Sequence, residues 1–298
     1  MAALSGWADL EASLYCNRTV SQQGVGLLVG AGALTGRAGP DLAQIGARVA
    51  QGDYDGAVQG FLLQAASRSS ATDVAALNAR GTAVLLGDAF NDGLFPPNQT
   101  IAFFNQLRGS KQLLLSQGDH ATAELPGALG LPNEIYSATT RWFDRHLKQL
   151  RNGVDAEAPV RLSPRAGQWL DYPDWASVQQ ATTQLGLSAP AGLLSPTGGL
   201  TAGTSSGWQS RIATDVPTVA DSGIVLVSGL LQGIGLPVST SIPLVNCAGA
   251  AVWVGSPSNS TRRLAGSPSL RVTEWCPVGP TSAFSRISTA WMRWAWRN

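Results

Sequence analysis

"TAVLLGDAFNDGLFPPNQ", residues Thr82 to Gln99, changes texture twice within one turn's reach. Thr82 to Gly87 is a short apolar run bounded by glycines, the pattern of a strand buried on both faces in a parallel sheet. Pro96-Pro97-Asn98 then opens a helix, with Ile101, Phe104 and Leu107 on one side and Gly109 as its stop. Between strand and helix lies a glycine-rich turn that carries Asp92. Further on, "KQLLLSQ" (Lys111 to Gln117) predicts a second buried strand, and "GDHATAE" predicts the loop after it, with His120 inside. A helix is expected from Asn133 to Asn152. Asn133 caps it, Gly153 stops it, and Ile135, Thr139, Trp142, Phe143, Leu147 and Leu150 form its core-facing stripe. Strand, helix, strand, helix predicts the α/β class with a parallel sheet.

Outward from this unit the patterns weaken. Residues 1–39 read as irregular, and "GVGLLVGAGALTG" reads as a loop, because its glycine spacings lack the strand and the acid of a dinucleotide fingerprint. Residues 40–80 predict three short helices. The first starts at Pro40-Asp41 with Leu42, Ile45 and Val49 on one face, and the last ends at Gly81. Beyond Gly153 the helical period is lost. Short β-type runs such as "SGIVLVSG", "IPLVN" and "AAVWVG" alternate with Gly, Pro and Ser, which places a boundary near Asp155 and an all-β region after it.

Composition narrows the function. The 298-residue chain carries a net charge of +1 and only 13% charged residues, against about 25% in typical domains. With no basic stripe, nucleic-acid binding has no electrostatic basis. Cys16, Cys247 and Cys276 imply no disulfide framework, and with only His120 and His146 no metal site is expected. No cofactor motif is present. The longest apolar stretch, Ser222 to Val238, is interrupted by glycines, so no membrane partner is expected, and the first residues lack the pattern of a signal peptide. The compartment is left open.

Asp92 and His120 follow successive strands, 28 positions apart. In an open parallel sheet such loops lie side by side at the carboxyl ends, where sites form. An aspartate that accepts the Nδ1–H of a histidine fixes its tautomer and stabilises the imidazolium, so the ring can take a proton from a nucleophile. Acid before base also follows the α/β-hydrolase chain order. The same residues fit a second reading: "NDG" is an ordinary turn, and His120 a solvated loop residue. His146 reads as a packing residue. Glu124 reads as solvated surface, with a pocket role as the other reading. Trp169 and Trp175 read as β-region core or as the lining of a groove.

Three segments resemble one family when taken as a set: "LLGDAFNDGLFPPNQTIAFFNQL", "LLLSQGDHATAE" and "RWFDRHLKQLRNGVDAEAPVRL". The family is the Xaa-Pro dipeptidyl-peptidase and cocaine-esterase group of α/β-hydrolase serine hydrolases. "SGWADLEASLY" (Ser5 to Tyr15) resembles the family's segment shortly after the nucleophile. The resemblance implies the C-terminal part of an α/β-hydrolase domain over 1–154, with a helical cap at 40–80, followed by an incomplete β jelly-roll over 155–272. It also implies a catalytic acid at Asp92, a catalytic base at His120, a peptide or small-molecule ester or amide substrate, and no cofactor.

Two departures from the family accompany it. The one Gly-x-Ser-x-Gly string, "GTSSG" at Gly203 to Gly207, lies after His120 in a Gly/Ser/Thr-rich loop, so no nucleophile is assigned. The expectation is a chain that carries acid and base, silent alone, with an N-terminal fragment as complementing partner. A non-catalytic binding module in the β-rich half is the alternative. Residues 273–298 form an aberrant tail. From Trp275 onward there are four tryptophans, three arginines and no acid. Shifting the reading frame from Ser285-Arg286 onward permits "AYLYGVDALG", close to a family-like "AYLYDVDALG", which predicts a frameshifted end.

Overall fold

Strand β1 (Ala2–Leu4), β2 (Val84–Ala89), β3 (Lys111–Ser116) and β4 (Val160–Arg165) run parallel as successive neighbours, and β5 (Gln168–Tyr172) adds an antiparallel edge. The computed structural model describes residues 1–16, 20–36, 39–90, 92–165, 168–180, 183–190, 197–203, 207–208, 252–256, 271–274 and 286–289. Chain reversals between parallel strands need long crossovers. Between β1 and β2 these are α1 (Leu10–Leu14), α2 (Gln22–Leu34), α3 (Pro40–Ala50), α4 (Tyr54–Ala65) and α5 (Val74–Ala79). Helix α6 (Pro97–Gln106) links β2 to β3, and α7 (Leu125–Ala128) and α8 (Glu134–His146) link β3 to β4. Helix α9 (Trp175–Val178) follows β5.

The apolar runs are buried on both sides, as their composition predicts. Val84 and Leu86 of β2, with Leu113 and Leu115 of β3, pack against Ile101, Phe103 and Phe104 of α6. Leu85, Ala89 and Leu114 point the other way, onto Ile135, Ala138 and Trp142 of α8. Each fully buried Leu or Phe contributes about 1.5–3 kcal/mol, so these two layers hold the sheet. Gly87 sits where the chain has no room for a side chain. A Cβ there would meet Leu4 Cδ2 at 2.7 Å and Ile135 Cγ2 at 3.0 Å. Lys111 donates to the carbonyls of Phe104 and Leu107, closing the end of α6. On the α8 side, Arg141 and Arg161 share Glu134 and Glu157, and Arg161 also reaches Asp171, which ties α8 to β4 and β5.

Several local expectations change. Ala2–Leu4 is a strand and Gln22–Leu34 a helix, where both had read as irregular. The helix forms despite its glycines because Ser21 Oγ caps Gly24 N and Leu28 packs on a cluster of Leu10, Leu14, Ala65, Leu94 and Phe95. Strand β2 lies two residues later than the apolar run alone indicated. Helix α8 ends at His146, not near Asn152. Gln149 adopts φ 58° and Asn152 Nδ2 donates to the Arg141 carbonyl, folding the chain back. Leu147 and Leu150 therefore leave the core and are exposed. The sheet continues through β4 and β5, past Asp155.

Farther along, β6 (Gly186–Leu187) pairs antiparallel with β7 (Thr197–Thr201), which pairs parallel with β8 (Val252–Val254). Trp208 Nε1 donates to the Leu187 carbonyl and Trp253 Nε1 to that of Ser188, so both indoles are held by backbone. Strands β9 (Arg271–Glu274) and β10 (Arg286–Thr289) form an antiparallel pair that starts at the end of the region expected to be all-β and reaches into the tail. The runs "SGIVLVSG" and "IPLVN", the serines of "GTSSG", Cys247, Cys276 and most of the tail lie outside the described residues. Among the described residues no helix is long and apolar enough to cross a membrane.

Candidate active site

The turn after β2 and the loop after β3 meet because their strands are paired in register, Ala89 opposite Ser116. Asp92 closes an Asx turn: its Oδ1 accepts from Leu94 N (2.9 Å) and Phe95 N (2.7 Å). That turn aims Oδ2 at His120 Nδ1, 3.0 Å away. The Asp92 side chain is wholly enclosed, whereas that of His120 is 30% exposed. With Oδ1 already filled by two N–H groups, Oδ2 accepts the Nδ1–H, so the neutral imidazole keeps its lone pair on Nε2. Among the described residues this is the one hydrogen bond the ring makes. The Phe95 ring stands edge-on to it at 5.1 Å, and Trp7 in turn packs on Phe95 at 5.0 Å.

The histidine loop is pinned from several sides. Asp119 Oδ1 accepts from His120 N and from Gly93 N, both at 2.8 Å, which joins the two loops. Gly118 adopts φ 133°, and a Cβ there would meet Thr122 Oγ1 at 2.6 Å, so glycine is required. Ala121 has φ 58° and Ser5, just past β1, φ 43°. The Ala121 N–H donates to Ser5 Oγ at 3.2 Å, coupling the end of β1 to the loop.

Burial opposes a charge on His120, but the hydrogen bond and charge of Asp92, then Glu124 and Asp119, outweigh it and raise its pKa. Glu124 is buried, contrary to the solvated reading. Burial raises its pKa, while a hydrogen bond with Ser5 and the charge of His120 pull the other way. The Glu124 Oε2 atom has no hydrogen-bond partner among the described residues. His146 lies apart, its ring 4.3 Å from that of Trp142, and burial lowers its pKa, in keeping with a packing role. Trp175 is core, and Trp169 lies under the Arg161 guanidinium and against the α8-side cluster.

Sequence reasoning passed over Asp88. It lies on β2 with no exposed surface, on the α6 face with Val84 and Leu86. Its Oδ1 accepts from Ala89 N at 2.8 Å and its Oδ2 from Thr100 Oγ1 at 2.9 Å. The available signal was parity: an acid in step with two core residues of a buried strand cannot face water.

A mixed α/β layer with a parallel sheet is compatible with part of an α/β-hydrolase. Residues 1–122, from β1 through the His120 loop, match the model of the X-Pro dipeptidyl-peptidase family, S15, which supports a hydrolase of peptidase or esterase type. A search of curated proteins finds no match.

Proposed function

We propose that this chain carries the acid and base of a serine hydrolase of Xaa-Pro dipeptidyl-peptidase type, which cleaves an ester or amide bond. Asp92 orients His120 and stabilises its imidazolium. His120 takes the proton of an attacking hydroxyl on Nε2 and returns it to the leaving group. The 3.0 Å contact between the two side chains, across the carboxyl ends of adjacent parallel strands, carries this reading. No described residue supplies a hydroxyl to Nε2; the Oγ of nearby Ser5 accepts from Ala121 N and is hydrogen-bonded to Glu124. In this reading the nucleophile comes from a complementing N-terminal segment. Its place is the edge of β1 that no described strand occupies. A parallel strand there would end beside the Ser5 turn. The division into a catalytic part with its helical cap at 40–80, a jelly-roll over 155–272 and an aberrant tail over 273–298 belongs to the same proposal. In it, β4 and β5 are the portion that the second region lends to the sheet.

The test is complementation. The chain is mixed with a polypeptide bearing Gly-x-Ser-x-Gly on a strand–turn–helix, and hydrolysis of an Xaa-Pro anilide and of a phenyl ester is followed. Activity is expected only in the mixture, and His120→Ala lowers it by about 10³-fold or more. Equal activity with His120→Ala refutes the assignment.

A further inference from the structure

Behind Asp92 lies a line of buried polar groups whose hydrogen bonds all point one way. The backbone N–H groups of Ala8 and Asp9 donate to Gln99 Oε1, at 2.5 and 3.0 Å. This fixes the amide's orientation, so Gln99 Nε2 is the donor to Thr100 Oγ1 at 2.8 Å. A hydroxyl has one proton, and Thr100 gives its own to Asp88 Oδ2. The next carboxyl in line is that of Asp92, which interacts with Asp88 as a hydrogen-bond neighbour. At the far end His120 donates to Asp92 from the opposite side.

Two carboxylates cannot both be ionised in contact without a proton between them. Asp92 has the better claim to the charge. It accepts two backbone N–H groups and faces the one group that can become cationic, whereas Asp88 accepts one N–H and one hydroxyl. We propose that Asp88 is a neutral carboxylic acid that donates a hydrogen bond to Asp92, continuing the Gln99–Thr100 line and holding the single negative charge on the carboxylate that faces His120. Asp88 is thus a positioning residue: it touches no reacting atom and acts through Asp92. Burial first, and then the charge of Asp92, push the Asp88 pKa well up, in the direction the geometry requires. Among the described residues, Asp92 is the one titratable group whose charge acts on Asp88, and Asp92, Glu124 and Asp119 are those that act on His120.

The positioning role rests on reading Asp92 and His120 as acid and base, but its test does not need activity. The carboxyl carbon of Asp88 in the wild-type chain is followed by NMR against pH. The protonated signal is expected to persist through pH 7, and a carboxylate signal there overturns the proposal. Asp88→Asn keeps a donor toward Asp92 and, where Asp88 is neutral, changes no charge, while its single oxygen serves only one of Ala89 N and Thr100 Oγ1. It should therefore move the His120 titration midpoint by less than about 0.3 pH unit, whereas loss of a true charge would lower it by more than about half a unit. Asp88→Ala, which removes the donor, should shift the His120 Nδ1–H resonance, and Asp88→Asn should restore it. Failed complementation with a protonated Asp88 would sink the hydrolase proposal and leave this assignment standing.

Discussion

Asp92 does two separable jobs, and two substitutions divide them. Its Oδ1 satisfies the N–H groups of Leu94 and Phe95, both in the buried turn, and its Oδ2 holds His120. Alanine removes both functions. Two buried N–H groups without an acceptor cost about 1–3 kcal/mol each, so Asp92→Ala should destabilise the chain by about 2–6 kcal/mol. Against a typical total of about 5–15 kcal/mol, that is a large fraction. Asparagine keeps Oδ1 for the turn and places an NH2 toward the ring. Its cost is confined to the histidine contact, where the ring is 30% exposed, and should stay below about 2 kcal/mol. The NH2 must then donate to Nδ1, which moves the ring proton to Nε2 and abolishes its use as a base. The imidazolium also loses its counter-charge, so the pKa of His120 falls. Urea unfolding at pH 7 measures the energies, and nitrogen NMR of the imidazole reports the tautomer. Equal costs for the two variants, or an unchanged tautomer in Asp92→Asn, would refute the division.

Because His120 binds its proton more tightly in the folded chain, its contribution is full below the unfolded value near 6.5 and is lost as pH rises through the higher native value. Denaturant midpoints of wild type and His120→Gln should converge over that window, and a gap that widens with pH contradicts the sign. Gly87→Ala should cost about 1–3 kcal/mol by overpacking Leu4 and Ile135, read as a lower denaturant midpoint with an unchanged m-value. Burial would raise the Glu157 pKa, but Arg141, Gln112 and Arg161 lower it on balance, so its contribution holds above about pH 4.5 and is lost as pH falls through the native value. Glu157→Gln should therefore remove about 1 kcal/mol at pH 7 and flatten the acid limb of the stability profile, measured by thermal unfolding across pH.

What the sequence disclosed was what local pattern encodes. Leu85, Leu86 and Leu113–Leu115 announce strands because a continuous apolar run has few other uses, and the Pro97 and Asn133 helix starts carry their own chemistry. Ala2–Leu4 could not be read this way. Three residues become a strand only through pairing with Leu85–Gly87, more than eighty positions away. Helix α2 hid behind glycines whose cost is met by a cap and by packing that single residues do not reveal. At the site, order and spacing put Asp92 and His120 on neighbouring loops but left the turn reading of Asp92 open, whereas Asp88 and the burial of Glu124 gave no such sign. The line behind Asp92 depends on α6 folding back over β2, and the burial of Glu124 on a loop folding onto Ser5.

The bond between Ala121 N and Ser5 Oγ joins two residues that both occupy left-handed backbone conformations. Neither bend is comfortable for a residue with a side chain, so each leans on the other. The opening strand is thus a tether for the imidazole as well as an outer rib of the sheet. Sliding that strand by a single residue would exchange Ser5 for Leu4 or Gly6, neither of which has a hydroxyl, and would loosen the histidine's footing without altering any residue that touches its ring.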